Sequence, residues 1–280
     1  MFESRRRLHI PSRSIVNLIL LDERECLGSS SVMLSDGRAA HLLNVLRVVP
    51  GQAIRIGLID GPFGVGTVES AGDGRVTLRC AFEADIPPRP RIDVLLALPR
   101  PKVMRRLWAQ LAALGVGHII LTNAERVERQ YFDTHVLTEA CYGPLLVEGL
   151  QQARDTRLPV VSIHRQLKVL VEDQLDTLFG EGVRLVSNPQ ATMSIHAAVA
   201  ARADRRVLVA IGPEGGWNAF ELALFEAHGF HTVGLGPRIL RVDTACTAIL
   251  AITHAALQAP ASPEHGRRSR VTPADSAPES

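Results

Sequence analysis

Six short apolar segments alternate with helical patterns between residues 92 and 258, and this alternation restricts the fold more than any other feature of the sequence. A strand with one face in water alternates apolar and polar side chains, whereas a strand covered on both faces is apolar along its length. Strands of the second kind, separated by helices, indicate a parallel sheet with helices on both sides. We therefore predict an α/β domain over residues 92–258, with strands at IDVLLALP, HIILTNA, PVVSI, RLVSN, RVLVAIG and HTVGLG.

Residues 16–85 have a different pattern, in which short strands and turns predominate. The segments NLILL, AIRIGLI and VTLRC have the length and apolar content of strands. Between the first two, a helix ending near Pro50-Gly51 is predicted, because apolar residues recur at the helical spacing at Leu42, Val45, Leu46 and Val49. Together these elements predict a small β-barrel over residues 16–85, and the prolines of residues 86–91 predict a linker.

The chain ends and the cysteines bear on the class of protein. Residues 1–15 are basic and residues 259–280 are rich in Pro, Ser and Ala, so we expect both ends to be disordered. No apolar run approaches the ~18 residues that span a bilayer, and no signal-peptide core follows the basic start, so we expect a cytoplasmic protein. Neither a metal site nor a disulfide framework is expected, because no C-x-x-C pair exists among Cys26, Cys80, Cys141 and Cys246.

Three of the predicted strands end in segments rich in Gly, Pro and Asn. The strand RVLVAIG runs into GPEGG, the next strand runs into LGPRILRVDTA, and the strand before both ends at SNP. Asn218 and Glu221 have the spacing of a capping box, which predicts a helix directly after the first loop. Since ligands of open parallel sheets bind at the carboxyl ends of the strands, we expect the three loops to form one pocket.

These loops lack the signatures of phosphate-binding loops. The chain contains no Gly-Lys pair for a P-loop, and after Gly234 and Gly236 the third glycine of a dinucleotide fingerprint is replaced by Ile239. Glu214 in the first loop would also repel a phosphate. A cationic or neutral ligand fits better, and a sulfonium such as S-adenosylmethionine is one.

The paired segments IGPEGGWNAFE and LGPRILRVDTA resemble the motifs of SPOUT-superfamily methyltransferases, in particular the bacterial family that methylates N3 of a uridine in 16S ribosomal RNA. Three upstream segments are similar to the family in the same order: HLLNVLRVVPGQ, LALPRPKVMRRLWAQLAALGV and EGLQQARDTRLP. The resemblance covers roughly residues 16–257. The sequence departs from the family at Asp243, where Glu is usual, and at SNP, where His-Pro is commoner.

This resemblance implies a fold, a cofactor and partners. The α/β domain would contain the deep trefoil knot of the superfamily, the small domain would be a PUA-like RNA-binding barrel, and the protein would be a homodimer. Its partner would be 16S ribosomal RNA or the small ribosomal subunit. S-adenosylmethionine would be the cofactor, without a metal, and the residues that would bind it are Ser187, Asn188, Pro189, Ile211, Gly212, Pro213, Glu214, Gly215, Gly216, Leu235, Gly236, Ile239, Leu240, Arg241, Thr244 and Ala245.

Methyl transfer to uridine N3 requires alignment of the two groups and favours the deprotonated imide. Arg241, inside the second motif, is the candidate to stabilise that anion, and Glu214 is the candidate to face the sulfonium. Two structural roles remain open beside these catalytic ones. A salt bridge between Asp243 and an arginine would only fix the loop, and Glu214 would only cap backbone amides.

A cluster of basic residues without intervening acids predicts an RNA-binding surface at the start of the α/β domain. Its members are Arg100, Lys102, Arg105 and Arg106, and Arg47 is a further candidate in the small domain. A solvated helix face would have the same composition. Trp217, beside the glycine loop, is predicted to stack on a base, whereas Trp108 is predicted to lie in the core.

Two further functions remain open from the sequence alone. One is a SPOUT methyltransferase for another RNA site, such as a ribose 2′-OH or a tRNA base. The other is an RNA-binding ribosome assembly factor without catalysis, which the departure at Asp243 keeps open. The modified nucleoside distinguishes all three functions.

Overall fold

The computed structural model describes residues 18–26, 30–200 and 204–258, which form two sheets with no strand in common. The ends predicted to be disordered, 1–15 and 259–280, lie outside the described residues. The linker at 86–91 and the domain limits stay predictions.

The N-terminal sheet consists of β1 (Ile19–Leu21), β2 (Ser31–Leu34), β3 (Ala53–Leu58), β4 (Phe63–Gly72) and β5 (Arg75–Phe82). Its strand order is β1-β3-β4-β5-β2, with β1 parallel to β3 and the other neighbours antiparallel. Asp73 and Gly74 connect β4 to β5 with φ values of 50° and 72°. An Asp-Gly pair with positive φ at both residues is typical of a tight hairpin turn.

Helix α1 (Gly37–Asn44) is shorter than the sequence pattern predicts. Leu42 is buried in the small core, but Val45 and Val49 are 64% and 59% exposed. The prediction that the apolar stripe continues to Val49 is therefore wrong. The helix ends before Val45, and Arg47 then takes a left-handed conformation with φ of 49°, so the later apolar residues leave the helical face.

The second sheet consists of β6 (Ile92–Ala97), β7 (Val116–Thr122), β8 (Val160–His164), β9 (Val183–Ser187), β10 (Val207–Ile211) and β11 (Phe230–Val233). Every neighbouring pair is parallel, and the order is β11-β9-β10-β6-β7-β8. The side chains of β10 are buried on both faces. The predicted α/β class with a parallel sheet is therefore confirmed.

Helices cover this sheet, and α2 packs one apolar face on it. Leu107, Trp108 and Leu111 of α2 are fully buried, at the spacing of one face of a helix. No helix of the described residues is long and apolar enough to cross a membrane. The helices are α2 (Pro101–Ala113), α3 (Glu139–Ala153), α4 (Leu167–Val169), α5 (Leu175–Phe179), α6 (Ile195–Ala200), α7 (Ala219–Ala227) and α8 (Val242–Gln258), with 3-10 turns at Glu23–Cys26, Arg129–Asp133 and His135–Leu137 and a π-helical turn at Leu170–Gln174.

The first strand joins the two hydrophobic cores. Leu18 and Leu20 belong to the core of the large sheet, whereas Ile19 and Leu21 belong to the core of the small sheet. This division follows from the alternation of side chains along a strand. The two sheets are thus packed against each other through β1.

Polar contacts from the segment after α3 reinforce this junction. Thr156 donates its hydroxyl hydrogen to the carbonyl oxygen of Gly61 at 2.7 Å, and Arg157 donates to the carbonyl oxygen of Asp60 at 2.8 Å. Gly57 permits the approach, because a Cβ there would lie 2.6 Å from Cγ2 of Thr156. The segment DTRLP therefore has a structural role between the sheets.

Candidate functional site

A cavity of about 740 Å³ opens at the carboxyl end of the large sheet. The loops after β9, β10 and β11 line it together with the start of α8, so the prediction of one pocket from three loops is confirmed. Arg241 and Thr244 are absent from its lining among the described residues. The predicted cofactor-binding residues that do line it are Ser187, Asn188, Pro189, Ile211, Gly212, Pro213, Glu214, Gly215, Gly216, Leu235, Gly236, Ile239, Leu240 and Ala245.

The glycines of these loops have two different functions in the fold. Gly234 allows close packing, because a Cβ there would lie 2.5 Å from the carbonyl oxygen of Ala191. Gly216 and Gly236 have φ values of 72° and 100°, and no atom lies within 4 Å of where a Cβ would be. Side chains at these two positions would strain the backbone and project into open space at the cavity wall.

Trp217 forms part of the cavity wall from inside the core. Its side chain is only 8% exposed and meets Phe225 edge-on, with ring centroids 4.9 Å apart. A Cβ on Gly212 would lie 3.2 Å from the indole, so this ring explains the glycine. The prediction that Trp217 stacks on a base is wrong, because both neighbours enclose the ring. Trp108 lies in the core as predicted and donates from Nε1 to the carbonyl oxygen of Val136 at 3.1 Å.

The capping box predicted for Asn218 and Glu221 is present at the start of α7. Each side chain accepts a hydrogen bond from the other residue's backbone N–H, both at 2.8 Å. The Glu221 carboxylate, which is 4% exposed, also accepts the backbone N–H of Glu125 at 2.8 Å. One buried carboxylate therefore connects the glycine loop to the loop after β7.

Arg126, in the loop after β7, lines the cavity and contacts the glycine loop directly. Its guanidinium donates to the carbonyl oxygen of Gly215, 89 residues away in sequence, and a Cβ on Gly215 would lie 2.7 Å from its Cδ. The sequence indicates Arg126 as a site residue in one way: it follows β7, a strand that ends at the same edge of the large sheet as the three cavity loops. Other lining residues that were not predicted flank the loops or come from helices and strand ends: Gln190, Ala191, Ile195, Trp217, Leu222, Val233, Pro237, Arg238, Val242 and Ile249.

The residues proposed for catalysis occupy different positions. Glu214 is exposed and lies in the cavity wall, whereas Arg241 is exposed and lies outside it. The carboxylate of Asp243 forms a salt bridge with Arg106 of α2 at 2.9 Å. The salt bridge between Asp243 and an arginine, left open from the sequence, is therefore present, and its arginine comes from α2 rather than from the loop. The catalytic role of Arg241 stays a prediction.

The basic residues of α2 lie close to the same edge of the sheet. Lys102 and Arg105 are exposed, as is Arg100 at the start of the helix. The charges of Arg100 and of Glu214 both act on the phenol of Tyr131, whose pKa is raised by burial and by its hydrogen bond to Glu128. The basic surface therefore approaches the glycine loop near Tyr131. Arg47, the RNA contact predicted in the small domain, is exposed after α1.

A second cavity, of about 640 Å³, lies at the amino end of the large sheet. Its lining is rich in charge, but the cations are paired. Arg184 forms a salt bridge with Asp176 at 2.6 Å, and Arg205 forms one with Glu181 at 2.8 Å. These contacts satisfy the charges from within the chain.

Two buried titratable groups lie near that end. Asp93 is 1% exposed and pairs with Arg206, and burial raises the pKa of its carboxyl to about 6. Burial also lowers the pKa of His118 to about 4, and its Nε2 lies 2.8 Å from Oγ of Ser162. Both groups belong to the interior of the sheet.

In the described part of the chain, no cluster of three or more His, Cys, Asp or Glu could hold a metal.

The fold and the cavity agree with the comparisons to known families. A family model described as an RNA methyltransferase domain matches residues 87–254, and a model described as an RNA methyltransferase PUA domain matches residues 34–79. The first match covers more than half of the chain, so the protein belongs to the RNA methyltransferase domain family. The predicted family and the PUA-like character of the small domain are confirmed.

Individual relatives carry more specific names. The chain is 29% identical over 251 residues to ribosomal RNA small subunit methyltransferase E of Treponema pallidum, covering 86% of this chain and 92% of that protein. It is 28% identical to the Mycobacterium tuberculosis protein of the same name, over 84% of this chain and 90% of that protein.

A solved structure supports the fold. The Neisseria gonorrhoeae ribosomal RNA small subunit methyltransferase E bound to S-adenosyl methionine superposes with a TM-score of 0.68 at 22% identity, over 85% of this chain and 97% of that one. This similarity extends over both sheets. The trefoil knot stays a prediction, because strand order and pairing do not specify threading.

Proposed function

We propose that this protein transfers the methyl group of S-adenosylmethionine to N3 of a uridine in the ribosomal RNA of the small subunit. The observation that carries the proposal is the cavity formed by three strand-end loops, two of them glycine-rich, in a chain of the RNA methyltransferase family. The names of its relatives support small-subunit ribosomal RNA as the substrate. Such a substrate implies a cytoplasmic protein.

The residues of the cavity fit an adenosyl sulfonium. A volume of about 740 Å³ is within the usual range for small-molecule sites, roughly 300–1,000 Å³. Gly216 and Gly236 leave room that any Cβ would fill. Ile211 and Leu235 supply apolar surface, and Glu214 is the one carboxylate of the lining among the described residues. This carboxylate would attract a sulfonium placed beside it, whereas Arg126 and Arg238 supply positive charge elsewhere in the same lining.

The cofactor supplies an electrophilic methyl group when bound, and the chain must align it and the uracil. The cavity walls exclude water from the ligand and hold it in one orientation, which lowers the entropic part of the barrier. Glu214 is proposed to face the sulfonium, and Arg241 to contact the RNA side of the second loop.

We also infer a homodimer from the family resemblance. Light scattering should then report twice the chain mass of 30.4 kDa.

The proposed RNA path runs over α2 toward the cavity. Arg100, Lys102 and Arg105 would contact phosphates, and Tyr131 would supply a half-buried aromatic side chain near Glu214 on this path. The PUA-like sheet with Arg47 would hold a more distant part of the RNA. Arg100, Lys102, Arg105 and Arg47 are not among the residues that line the cavity, so RNA binding and cofactor binding can be measured separately.

Purified protein, S-adenosylmethionine and small ribosomal subunits from a strain lacking the protein provide the direct test. Mass spectrometry of the digested RNA should detect new 3-methyluridine. A 2′-O-methyl nucleoside would instead indicate ribose methylation, and no new nucleoside with retained RNA binding would indicate an assembly factor. In calorimetry, S-adenosylhomocysteine should bind, whereas NAD and ATP should not.

A further inference from the structure

The cavity lining contains two arginines of the described residues, and both lie where they can reach a ligand. Arg126 and Arg238 both line the cavity, and neither forms an ion pair with a carboxylate of the part that the structure describes. An unpaired guanidinium in a ligand cavity is available to a ligand. Of these two arginines, only Arg126 is held by a hydrogen bond to a neighbouring loop of the described residues.

The position of Arg126 is determined by contacts on both sides. Its guanidinium donates to the carbonyl oxygen of Gly215, and its Cδ lies directly over that glycine. Its neighbour Glu125 is held by the buried carboxylate of Glu221, and Val127 is 6% exposed in the core. The side chain of Arg126 is exposed, and these contacts direct its guanidinium to the cavity wall, where a donor can act on developing negative charge.

Within the described part of the chain, most of the hydrogen-bonding capacity of Arg126 is unused. A guanidinium has five N–H donors, and the hydrogen bond to Gly215 occupies one of them. Arg126 contacts the glycine loop beside Glu214, the residue proposed to face the sulfonium. An acceptor base aligned with the methyl group must approach this same wall. The remaining donors are thus available to the oxygens of that base.

Uracil N3 is a poor nucleophile until it loses its proton, and the resulting negative charge is shared with O2 and O4. We propose that Arg126 stabilises this imide anion by donating to a uracil oxygen, an inference that rests on the proposed function. The N3 proton passes to solvent water before transfer. The N3 lone pair then forms the new N–C bond, and the electron pair of the broken C–S bond stays on sulfur.

Three variants separate this role from that of a loop clamp. Arg126→Ala should lower the single-turnover methylation rate at neutral pH by about 10²-fold or more, the usual scale for a lost charge-stabilising donor. The affinity for S-adenosylhomocysteine should change by less than about threefold, because an anion-stabilising group adds little to ground-state cofactor binding. Arg126→Lys should recover part of the rate. Arg129→Ala, an exposed arginine outside the cavity lining, is the matched control and should retain the wild-type rate.

The pH dependence and a modified substrate give independent readouts. Without Arg126 the rate should continue to rise to a higher pH than in the wild type, because N3 then titrates without a cation beside it. RNA transcribed with 5-fluorouridine has a more acidic N3, so the difference between Arg126→Ala and the wild type should shrink on it by roughly tenfold, in line with a pKa shift of about one unit.

The outcomes distinguish this inference from the proposed function. If Arg126→Ala weakens S-adenosylhomocysteine binding by the same factor as it slows methylation, Arg126 only clamps the glycine loop. A wild-type rate for Arg126→Ala, or an unchanged defect on the fluorinated RNA, also refutes anion stabilisation while methylation of the wild type stands. Absence of 3-methyluridine with the wild type would instead refute the proposed function.

Discussion

The two ends of the six-stranded sheet have cavities of similar size but opposite character. At the amino end, Arg184 and Arg205 are paired with carboxylates of nearby segments. At the carboxyl end, Arg126 and Arg238 line the cavity without such partners among the described residues. The amino-end cavity measures about 640 Å³ and the carboxyl-end cavity about 740 Å³, so volume alone does not distinguish them.

The two ends differ in whether their charged side chains have partners within the described residues. Charges at the amino end are satisfied within the fold, and they stabilise the starts of β9 and β10. The carboxyl end has glycine loops with open space beside them and guanidinium donors without carboxylates. Ligands of open parallel sheets bind at the carboxyl ends of the strands, which is the end with the unpaired donors.

The largest effect is expected from Gly234→Val at the carboxyl end. Its Cβ would lie 2.5 Å from the carbonyl oxygen of Ala191, so the loop after β9 or the loop after β11 must move. We expect S-adenosylhomocysteine binding to be lost in calorimetry, together with about 1–3 kcal/mol of folding stability, as for an overpacked site. Gly229→Val at the amino end is the control, because Gly229 has a φ of 78° but no atom within 4 Å of its Cβ position. It should cost stability and retain binding, and equal loss of binding in both would contradict the comparison.

Asp93→Asn should change the pH dependence of stability near the amino end. The folded pKa of Asp93, about 6, is above its unfolded value, so this group costs the wild type stability as pH rises from about 4 to about 6. Relative to the wild type, the free energy of unfolding of Asp93→Asn should therefore increase across that window by up to roughly 3 kcal/mol and then stay level. Urea denaturation between pH 4 and pH 8 measures the difference. His118, whose lowered pKa acts in the opposite direction, is present in both proteins. A constant difference would show that Asp93 is not the titrating group.

Removal of the basic residues of α2 should affect RNA alone. Arg100→Ala together with Lys102→Ala should weaken RNA binding and reduce the log–log salt slope by about one to two units, as expected for two lost phosphate contacts. Titrations at several salt concentrations give the slope, and calorimetry should show unchanged cofactor binding. Arg205→Ala, at the amino end, should leave the slope unaltered. A similar change in Arg205→Ala would mean that RNA binding depends on net charge rather than on α2.

The smallest effect is expected from Glu181→Gln in the amino-end cavity. The salt bridge between Glu181 and Arg205 is exposed, with side chains 88% and 52% accessible. Its loss should cost less than about 0.5 kcal/mol in urea denaturation. The rate of 3-methyluridine formation should stay at the wild-type value. A reduction of several-fold would show that the amino end takes part in function.

Features with a local cause could be predicted from the sequence. Asn218 and Glu221 of the capping box are three positions apart, and a strand of the large sheet such as β10 is a short continuous apolar segment. The glycine loops were recognisable because their motifs lie within short segments. Helix α1 was predicted too long. The chain turns at Arg47, a non-glycine residue with positive φ, and no local pattern indicated that turn.

The sequence by itself determined the order of strands and helices, the parallel sheet and the three loops that form the cavity, because periodicity and turn residues act over a few positions. Only the tertiary structure decided which side chains meet in that cavity. It brought Arg126 to Gly215 and Arg106 to Asp243, enclosed Trp217 against Phe225, and left Arg241 outside the lining. For the two arginine contacts, the physical reason is distance along the chain. Contacts across 89 and 137 residues depend on how separate elements pack, which local spacing does not encode.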